Sequence, residues 1–331
     1  MLDVDGGPPL APPDAGPAPT DAGPAGLTSC GLTLGEPVGE GCFCPGPAAR
    51  FGDVVYRQAI GIEVWDVSSP LSPVLAGQVD ERAASSGGLA IVEDHLVSVR
   101  NIEAALAVYS LDEPTTPALL AELPLGDGFA AGLAAGDRFA VAWTEGGEPA
   151  ILGVDLSSLD APREAYREVV EGSIATAVVD GERVILATRE VSPSRGWLEV
   201  RDLRTGALQA RHLVFDGDET PFFAGLATHR GRIVRTAVNA VEVLELTGAE
   251  PVVVGRLSTP MAQPISLAID GDLLLVGGSS LIVADLSDPT APRELGRAPA
   301  ASGDVRTLLA SEGSAFVSNG NGLLPVSLDC E

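Results

Sequence analysis

One phrase recurs along this chain and constrains its fold more than any other feature of the sequence. Each copy has an apolar run that ends at a polar residue, a turn that usually carries proline, and a second apolar run. Residues 281–296 and 62–77 are the clearest copies. The first run of the seven copies ends at Asp66, Ser110, Asp155, Asp202, Glu245, Asp285 and Ser327. These positions are 40 to 47 residues apart, which is the period of a β-propeller blade.

A second pattern precedes each phrase and consists of two apolar runs separated by an acidic or glycine-containing turn. Residues 267–276 and residues 176–186, each with Asp-Gly at the turn, are examples. Asp-Gly between apolar runs is a strong β-hairpin signal. Each repeat therefore predicts four strands, A to D, in an antiparallel meander. The fold class expected is all-β, a seven-bladed β-propeller of four-stranded antiparallel blades.

The polar residue at the end of each first run, most often Asp, is interpreted as structural. Its side-chain oxygen can accept hydrogen bonds from backbone N–H groups two residues on, and the following proline takes the chain out of the sheet. Because the position recurs in every blade, it serves the fold rather than a single site.

The two ends of the chain are predicted to share the seventh blade. Residues 305–329 supply three strands, and residues 34–38 resemble the closing strand at 295–299. The N-terminal segment is therefore expected to provide strand D, which closes the ring and removes an exposed sheet edge. Residues 1–28, rich in Pro, Ala, Gly and Asp, are expected to form a disordered linker, and residues 29–331 the propeller.

Four cysteines lie near the chain ends, at Cys30, Cys42, Cys44 and Cys330. Alignment with residues 285–296 places Cys330 and Cys30 at the two ends of a four-residue turn, within about 7 Å of each other. A disulfide can span that separation, and we therefore predict a Cys30–Cys330 disulfide. Cys42 and Cys44 then remain as free thiols or a small-ring disulfide, and pairing of Cys330 with one of them is the alternative. The clustering favours an oxidising compartment.

The repeated phrase resembles the bacterial LVIVD repeat, in which a Leu-Val-Ile-Val-Asp strand precedes an Asp-Pro-x-x-Pro turn. The nearest match is residues 281–285 followed by residues 287–292, whereas residues 204–206 and 247–251 depart from the pattern. The resemblance implies a β-propeller that is exported, at the bacterial cell surface, in the periplasm or outside the cell. We expect its signal peptide to lie outside this sequence. The family implies no general activity and provides no catalytic motif to carry over.

The charge of the chain excludes several classes of function. There are 46 acidic and 20 basic residues, for a formal net charge of −26. Such a surface repels nucleic acid and anionic membranes. All the basic residues are Arg, so phosphate-loop and Schiff-base lysines are absent. No apolar run reaches the length of a transmembrane helix. We expect a monomer with no cofactor.

The variable loops fall on one face of the predicted ring. In a four-stranded meander the D–A and B–C connections share a face, and the longer loops near residues 80–88, 189–197 and 215–223 all belong to them. We call this the D–A/B–C face and expect it to bind ligand. The candidate ligand-binding residues are Arg100, Trp143, Arg189, Arg195, Trp197, Asp216, Asp218 and Glu219.

The chemistry of these candidates leaves several functions open. The Arg and Trp side chains suit an anionic or aromatic ligand. The acidic run at 216–219 lacks the rest of a calcium-binding loop, so we expect no metal site. The leading hypothesis is a non-enzymatic binding module for a protein or glycan partner. The alternative is a hydrolase or lyase that uses acidic and Arg groups at the mouth of the central channel, which a carboxyl group of perturbed pKa in a deep pocket would favour. An inert module of a surface coat is the third hypothesis.

Overall fold

The computed structural model describes 27–39, 46–80, 87–126, 128–145, 148–191, 194–216, 225–247, 250–261, 264–299, 305, 307–311, 313–319 and 322–331. These residues form seven four-stranded antiparallel sheets and no helix. Strand A of each blade contacts strand A of the next blade, and strand A of the last blade contacts that of the first. The sheets therefore form a closed ring in which the A strands lie innermost. The prediction of a seven-bladed β-propeller is confirmed.

The first strand of the chain, β1 (Cys30–Leu34), belongs to the last blade. Blades 1 to 3 then follow in chain order, each in the sequence A, B, C, D: β2 (Ala48–Phe51), β3 (Val54–Ala59), β4 (Gly61–Asp66), β5 (Val74–Val79); β6 (Leu89–Val92), β7 (His95–Arg100), β8 (Ala105–Ser110), β9 (Ala118–Pro124); β10 (Phe129–Ala135), β11 (Phe139–Glu145), β12 (Ala150–Asp155), β13 (Arg163–Val169).

Blades 4 to 7 complete the ring in the same order, and the strand D of blade 7 is β1. Their strands are β14 (Ser173–Asp180), β15 (Arg183–Val191), β16 (Ser194–Asp202), β17 (Leu208–Asp216); β18 (Leu226–His229), β19 (Arg232–Ala237), β20 (Ala240–Glu245), β21 (Val252–Ser258); β22 (Ser266–Asp270), β23 (Leu273–Gly277), β24 (Ser280–Asp285), β25 (Arg293–Pro299); β26 (Thr307–Ser311), β27 (Ser314–Asn319), β28 (Gly322–Cys330).

Burial follows the position of a strand within its blade. Strands B and C are buried on both faces, as in β3, where all six residues are buried, and β11, where six of seven are. Strand D lies outermost and is largely exposed, as in β5. The near-continuous apolar runs of the sequence are therefore the strands sandwiched between neighbouring blades, where burial of apolar area stabilises the ring.

The polar residue at the end of strand C makes the predicted turn contacts. The carboxylates of Asp66 and Asp155 each accept a hydrogen bond from the backbone N–H two residues on, both at 2.9 Å. These hydrogen bonds hold the pKa of both carboxyl groups below the usual value. The recurrent Asp therefore stabilises the C–D turn, as its repetition indicated.

A β-bulge recurs on strand D of blades 1 to 6. In blade 1, Val64 faces Gly77 while Trp65 faces Leu75, so that one residue of strand D is extra. The C–D pairs of the other five blades shift register in the same way. A bulge twists an outer strand and so hinders edge-to-edge pairing with another sheet.

Blade 7 is closed by both chain ends, as predicted. Strand β1 pairs with β28 without a register shift, and a disulfide joins Cys30 to Cys330, whose Cα atoms are 4.0 Å apart. The backbone N–H of Glu331 also donates to the carbonyl of Ser29, at 3.0 Å. The prediction of the disulfide is therefore confirmed.

Two details of the predicted closure were wrong. Strand D covers Cys30–Leu34 and so begins earlier than predicted, while the predicted segment 34–38 continues the pairing with β28 only at Gly35 and Val38. The cysteines are cross-strand partners rather than the ends of a turn. The reason is that blade 7 has no continuous C–D turn, so strand C runs on to Cys330 and pairs with β1 to its end. Cys42 and Cys44 lie outside the described residues.

Candidate functional site

A cavity of about 510 Å³ opens on the D–A/B–C face, where β10 and β14 begin and β11 ends. Blades 2, 3 and 4 all contribute to it, because the B–C turn of blade 2 reaches the strand A of blade 3. We call it the blade 3–4 cavity, and its lining residues are Asn101, Phe129, Ala131, Trp143, Glu145, Ile174 and Ala175. The volume lies within the range of small-ligand and side-chain pockets.

Two β-bulges shape this cavity. In blade 3, Ala130 faces Thr144 but Gly132 faces Trp143, which leaves Ala131 as the extra residue. Blade 4 has the same irregularity on β14, with Ala175 as the extra residue. The other five A–B pairs of the described strands keep their register. Bulges often lie beside functional sites because they redirect side chains, and here both bulged residues line one cavity.

The indole of Trp143 forms a fixed wall of the cavity. Its side chain is buried and packs across Gly132, where a Cβ atom would lie 1.9 Å from Cζ2 of the indole. A glycine at this position is therefore needed for the ring to lie flat over strand A. The sequence singled out Trp143 but not the glycine that holds it.

The mouth of the cavity combines an aromatic ring with a carboxylate. Phe129 and Glu145 are direct cross-strand partners at the ends of β10 and β11. The Phe129 side chain is 54% exposed, and Glu145 is also exposed. Among the described residues Glu145 takes part in no ion pair. This pair presents one negative charge beside an apolar surface.

Arg100 lies beneath the D–A/B–C face and is fully buried. Its guanidinium contacts the carboxylate of Asp80, the carboxylate of Glu122 at 2.6 Å, and the hydroxyl of Tyr109 at 3.2 Å. Burial acts against the charge, but hydrogen bonds to Glu122, Tyr109 and Asp80 outweigh it and raise the pKa of Arg100. Burial raises the pKa of Tyr109 as well.

This buried cluster supports the B–C turn that reaches the cavity. Asn101 follows Arg100 directly, and its Nδ2 donates to the carbonyl of Ala130 at 3.0 Å. Asn101 therefore ties the turn of blade 2 to the bulged strand of blade 3. Arg100, a candidate ligand contact by sequence, acts on the cavity only through this turn, because protein atoms enclose its guanidinium.

Four further candidate residues lie on strands B, C and D of blade 4, at Arg189, Arg195, Trp197 and Asp216. The Arg211 guanidinium lies 4.3 Å from the centre of the Trp197 ring and pairs with Glu171 and Glu190. Arg195 pairs with Asp216 at 3.3 Å, and Arg189 is half-buried. Asp218 and Glu219 lie outside the described residues.

Sequence reasoning missed Asn101, Phe129, Glu145 and Ile174. These residues come together in the cavity only through the strand register and the two bulges, neither of which can be read from the pattern of apolar residues. The one available signal was position, because Phe129 and Glu145 flank the strands A and B of blade 3 on the loop-rich face.

Comparison with known proteins supports the fold and part of the resemblance. Residues 263–298 match the family model described as the LVIVD repeat, and they span blade 6. No curated protein matches the chain. Its fold resembles the crystal structure of the computationally designed Ika8 protein, with a TM-score of 0.62, 15% identity and coverage of 85% of this chain and 82% of the other.

A second solved structure, that of the Mitotic Checkpoint Complex, aligns with a TM-score of 0.67 and 10% identity, covering 99% of this chain and 97% of the other. At such identities the likeness shows the fold alone. Among the described residues no helix is long and apolar enough to cross a membrane. The chain is therefore a seven-bladed β-propeller that carries an LVIVD repeat at residues 263–298.

Proposed function

We propose that this protein is a non-enzymatic binding module that holds a protein partner on its D–A/B–C face, at the blade 3–4 cavity. The observation that carries the proposal is the coincidence of the cavity with both A–B bulges. A repeat fold gives equivalent positions equivalent roles, so the one place where two adjacent blades depart from the repeat marks the part of the ring adapted to a ligand.

Exposed apolar side chains on the same face support a protein partner. Ile60, Ile102 and Val238, at the B–C turns of blades 1, 2 and 5, are 74%, 70% and 51% exposed. Together with Phe129, at the mouth of the cavity, they give this face several exposed apolar contact points. Side chains of this kind, placed beside a pocket, are what a protein partner buries at the centre of an interface.

We also propose that the protein works outside the cytoplasm, on an N-terminal linker formed by residues 1–28, with the propeller over 29–331. The Cys30–Cys330 disulfide is compatible with an oxidising compartment. The LVIVD match and the acidic composition fit the same setting.

The hydrolase or lyase alternative gains no support from the described carboxyl groups. It required a carboxyl group of perturbed pKa in a deep pocket at the channel mouth. Five carboxyl groups at C–D turns have a lowered pKa, and hydrogen bonds of the turn lower each of them: Asp66, Asp155, Asp202, Asp285 and Asp288. These groups stabilise the fold on the opposite face.

Site-specific photocrosslinking in the producing cells tests the proposed face. A photocrosslinking amino acid replaces Ile102 beside the cavity in one variant and Leu71 in another. Leu71 is the matched control because it is an exposed apolar residue on a C–D turn of the opposite face. We expect a discrete crosslinked adduct from position 102 that the substitution Phe129→Ala reduces, and none from position 71. Adducts from position 71 alone would contradict the proposal.

A further inference from the structure

The geometry points to a cationic side chain, Lys or Arg in an extended segment of the partner, as the group that enters the blade 3–4 cavity. This inference rests on the proposed function and names the chemistry of its ligand. It is carried by the charge and the shape of the cavity together.

The cavity carries a negative charge that comes from a carboxylate. Glu145 is the one charged residue in its described lining. Exposed Glu148 lies on the B–C turn of blade 3, and Glu103, on the B–C turn of blade 2, pairs with Arg100 at 3.5 Å. The described lining contains no Arg, and Arg100, on the neighbouring turn, is committed to its buried cluster. A formal net charge of −26 extends the same field over the whole protein and attracts a cationic partner.

The walls of the cavity match the stem of a long basic side chain. Ile174 and Trp143 are buried apolar walls, and Phe129 stands exposed at the mouth. Lys and Arg bury an apolar stem while keeping the charged head at a polar group. A stem laid along Ile174 and Trp143 can place its head between the Phe129 ring and the Glu145 carboxylate. Both groups attract a cation, the ring through its face and the carboxylate through a charge-assisted hydrogen bond.

The same features disfavour the other ligand chemistries. Glu145 repels phosphate, sulfate and carboxylate groups, so acidic glycans and nucleic acids do not fit. The Asn101 amide donates one N–H to the Ala130 carbonyl and keeps its second N–H and its Oδ1, so a neutral sugar is distinguished by the test below. A neutral apolar side chain would leave the carboxylate without a counter-charge.

Capped pentapeptides with a single variable residue test this inference on the full chain. The probes are acetyl-Gly-Ser-x-Ser-Gly-amide with Arg, Lys, citrulline or norleucine at the central position, titrated by NMR or calorimetry. Citrulline preserves the shape and hydrogen bonds of Arg without its charge. We expect the Arg and Lys peptides to bind, and the citrulline and norleucine peptides to bind roughly fivefold more weakly, the size expected for a partly exposed charge pair.

Two variants locate the interaction. We expect Glu145→Gln to weaken binding of the Arg peptide roughly fivefold and to remove the difference between Arg and citrulline. Glu113→Gln is the control, because it makes the same change in an exposed side chain on a C–D turn of the opposite face, and it should leave binding unchanged. The unfolding midpoints of both variants are compared with that of the parent protein, and equal midpoints establish that the fold is intact.

The outcomes separate this inference from the proposed function. Equal binding of the Arg and citrulline peptides, or equal effects of the two Gln variants, would overturn the cationic ligand. Selective binding of a neutral oligosaccharide such as chitotetraose would overturn it in favour of a glycan. In each of these cases, crosslinks from position 102 would still support the D–A/B–C face as the surface that binds a partner. If position 102 gave no crosslink but the Arg peptide still bound, the cationic ligand of the cavity would stand and the proposed protein partner would be wrong.

Discussion

Removal of the Cys30–Cys330 disulfide should destabilise the whole propeller rather than blade 7 alone. The bond joins residues that are 300 positions apart, and it fixes the only strand that comes from the other end of the chain. Without it, strand β1 stays in blade 7 only through its backbone pairing with β28 and its packing. Loss of β1 would open the ring and expose the edge of β28.

The size of the effect follows from chain entropy and from the contacts that remain. A cross-link that closes a loop of nearly the whole chain removes about 6 kcal/mol of unfolded-state entropy in the simple model, and removal of native disulfides costs about 2–5 kcal/mol. For a domain of this size, 1 kcal/mol moves the unfolding midpoint by about 2–4 °C. We therefore expect a fall of roughly 5–15 °C.

The assay is thermal unfolding with and without reductant, in a Cys42→Ser/Cys44→Ser background that prevents disulfide exchange. We expect the added substitutions Cys30→Ser and Cys330→Ser to lower the midpoint by the stated amount. Reductant should lower the background protein to the same midpoint and should leave the four-serine variant unchanged. A four-serine variant that melts within about 1 °C of the oxidised background would refute the argument that the bond closes the ring.

Three other predictions follow from the described contacts. Gly132→Ala should cost about 1–3 kcal/mol by displacing the Trp143 indole, seen as a changed tryptophan fluorescence. Gly77→Ala, whose Cβ would meet only the Thr115 carbonyl oxygen at 4.0 Å, should be nearly neutral. Arg100→Met should cost about 3–5 kcal/mol in denaturant unfolding because it removes the cation that faces the buried Asp80 carboxylate. Arg138→Met breaks an exposed pair and should cost under about 1 kcal/mol. The free energy of unfolding should fall as pH drops below about 4. The carboxyl pKa values in the C–D turns are lowered, so the folded state binds protons less readily than the unfolded chain. An unfolding midpoint that is independent of pH from about 5 to 2 would contradict this prediction.

The fold was predictable because the physical causes repeat. Every blade needs two buried strands, a hairpin turn and a polar strand end, so each signal appears several times and a weak copy is supported by strong ones. Blade 4 shows this, since Asp202 keeps its turn contacts with Thr205 although the prolines are missing. The boundaries of strand β1 were not predictable, because blade 7 alone lacks the continuous turn that sets strand ends elsewhere.

The candidate site was predictable only in its face and in one wall, Trp143. Arg100 looked like a ligand contact because Arg at a loop base is usually exposed. Its burial depends on Asp80 and Glu122, which lie 20 and 22 residues away along the chain and meet it only in the folded blade. Charge pairing over such distances leaves no local pattern in a sequence with 46 acidic residues.

The proposed site illustrates why a repeated sequence pattern does not predict where a repeat protein binds its ligand. Positions that recur in all blades, such as Asp66 and Asp155, serve the turns that every blade needs. A binding site requires the opposite, a local departure that one or two blades carry and the others lack. The bulges at Ala131 and Ala175 are such a departure, since one extra residue in each inner strand redirects the chain and lets blades 3 and 4 share one opening. The opening is already present without a ligand and the disulfide closes the ring, so the binding that we propose would carry a lower entropic cost than binding to a site that must first form.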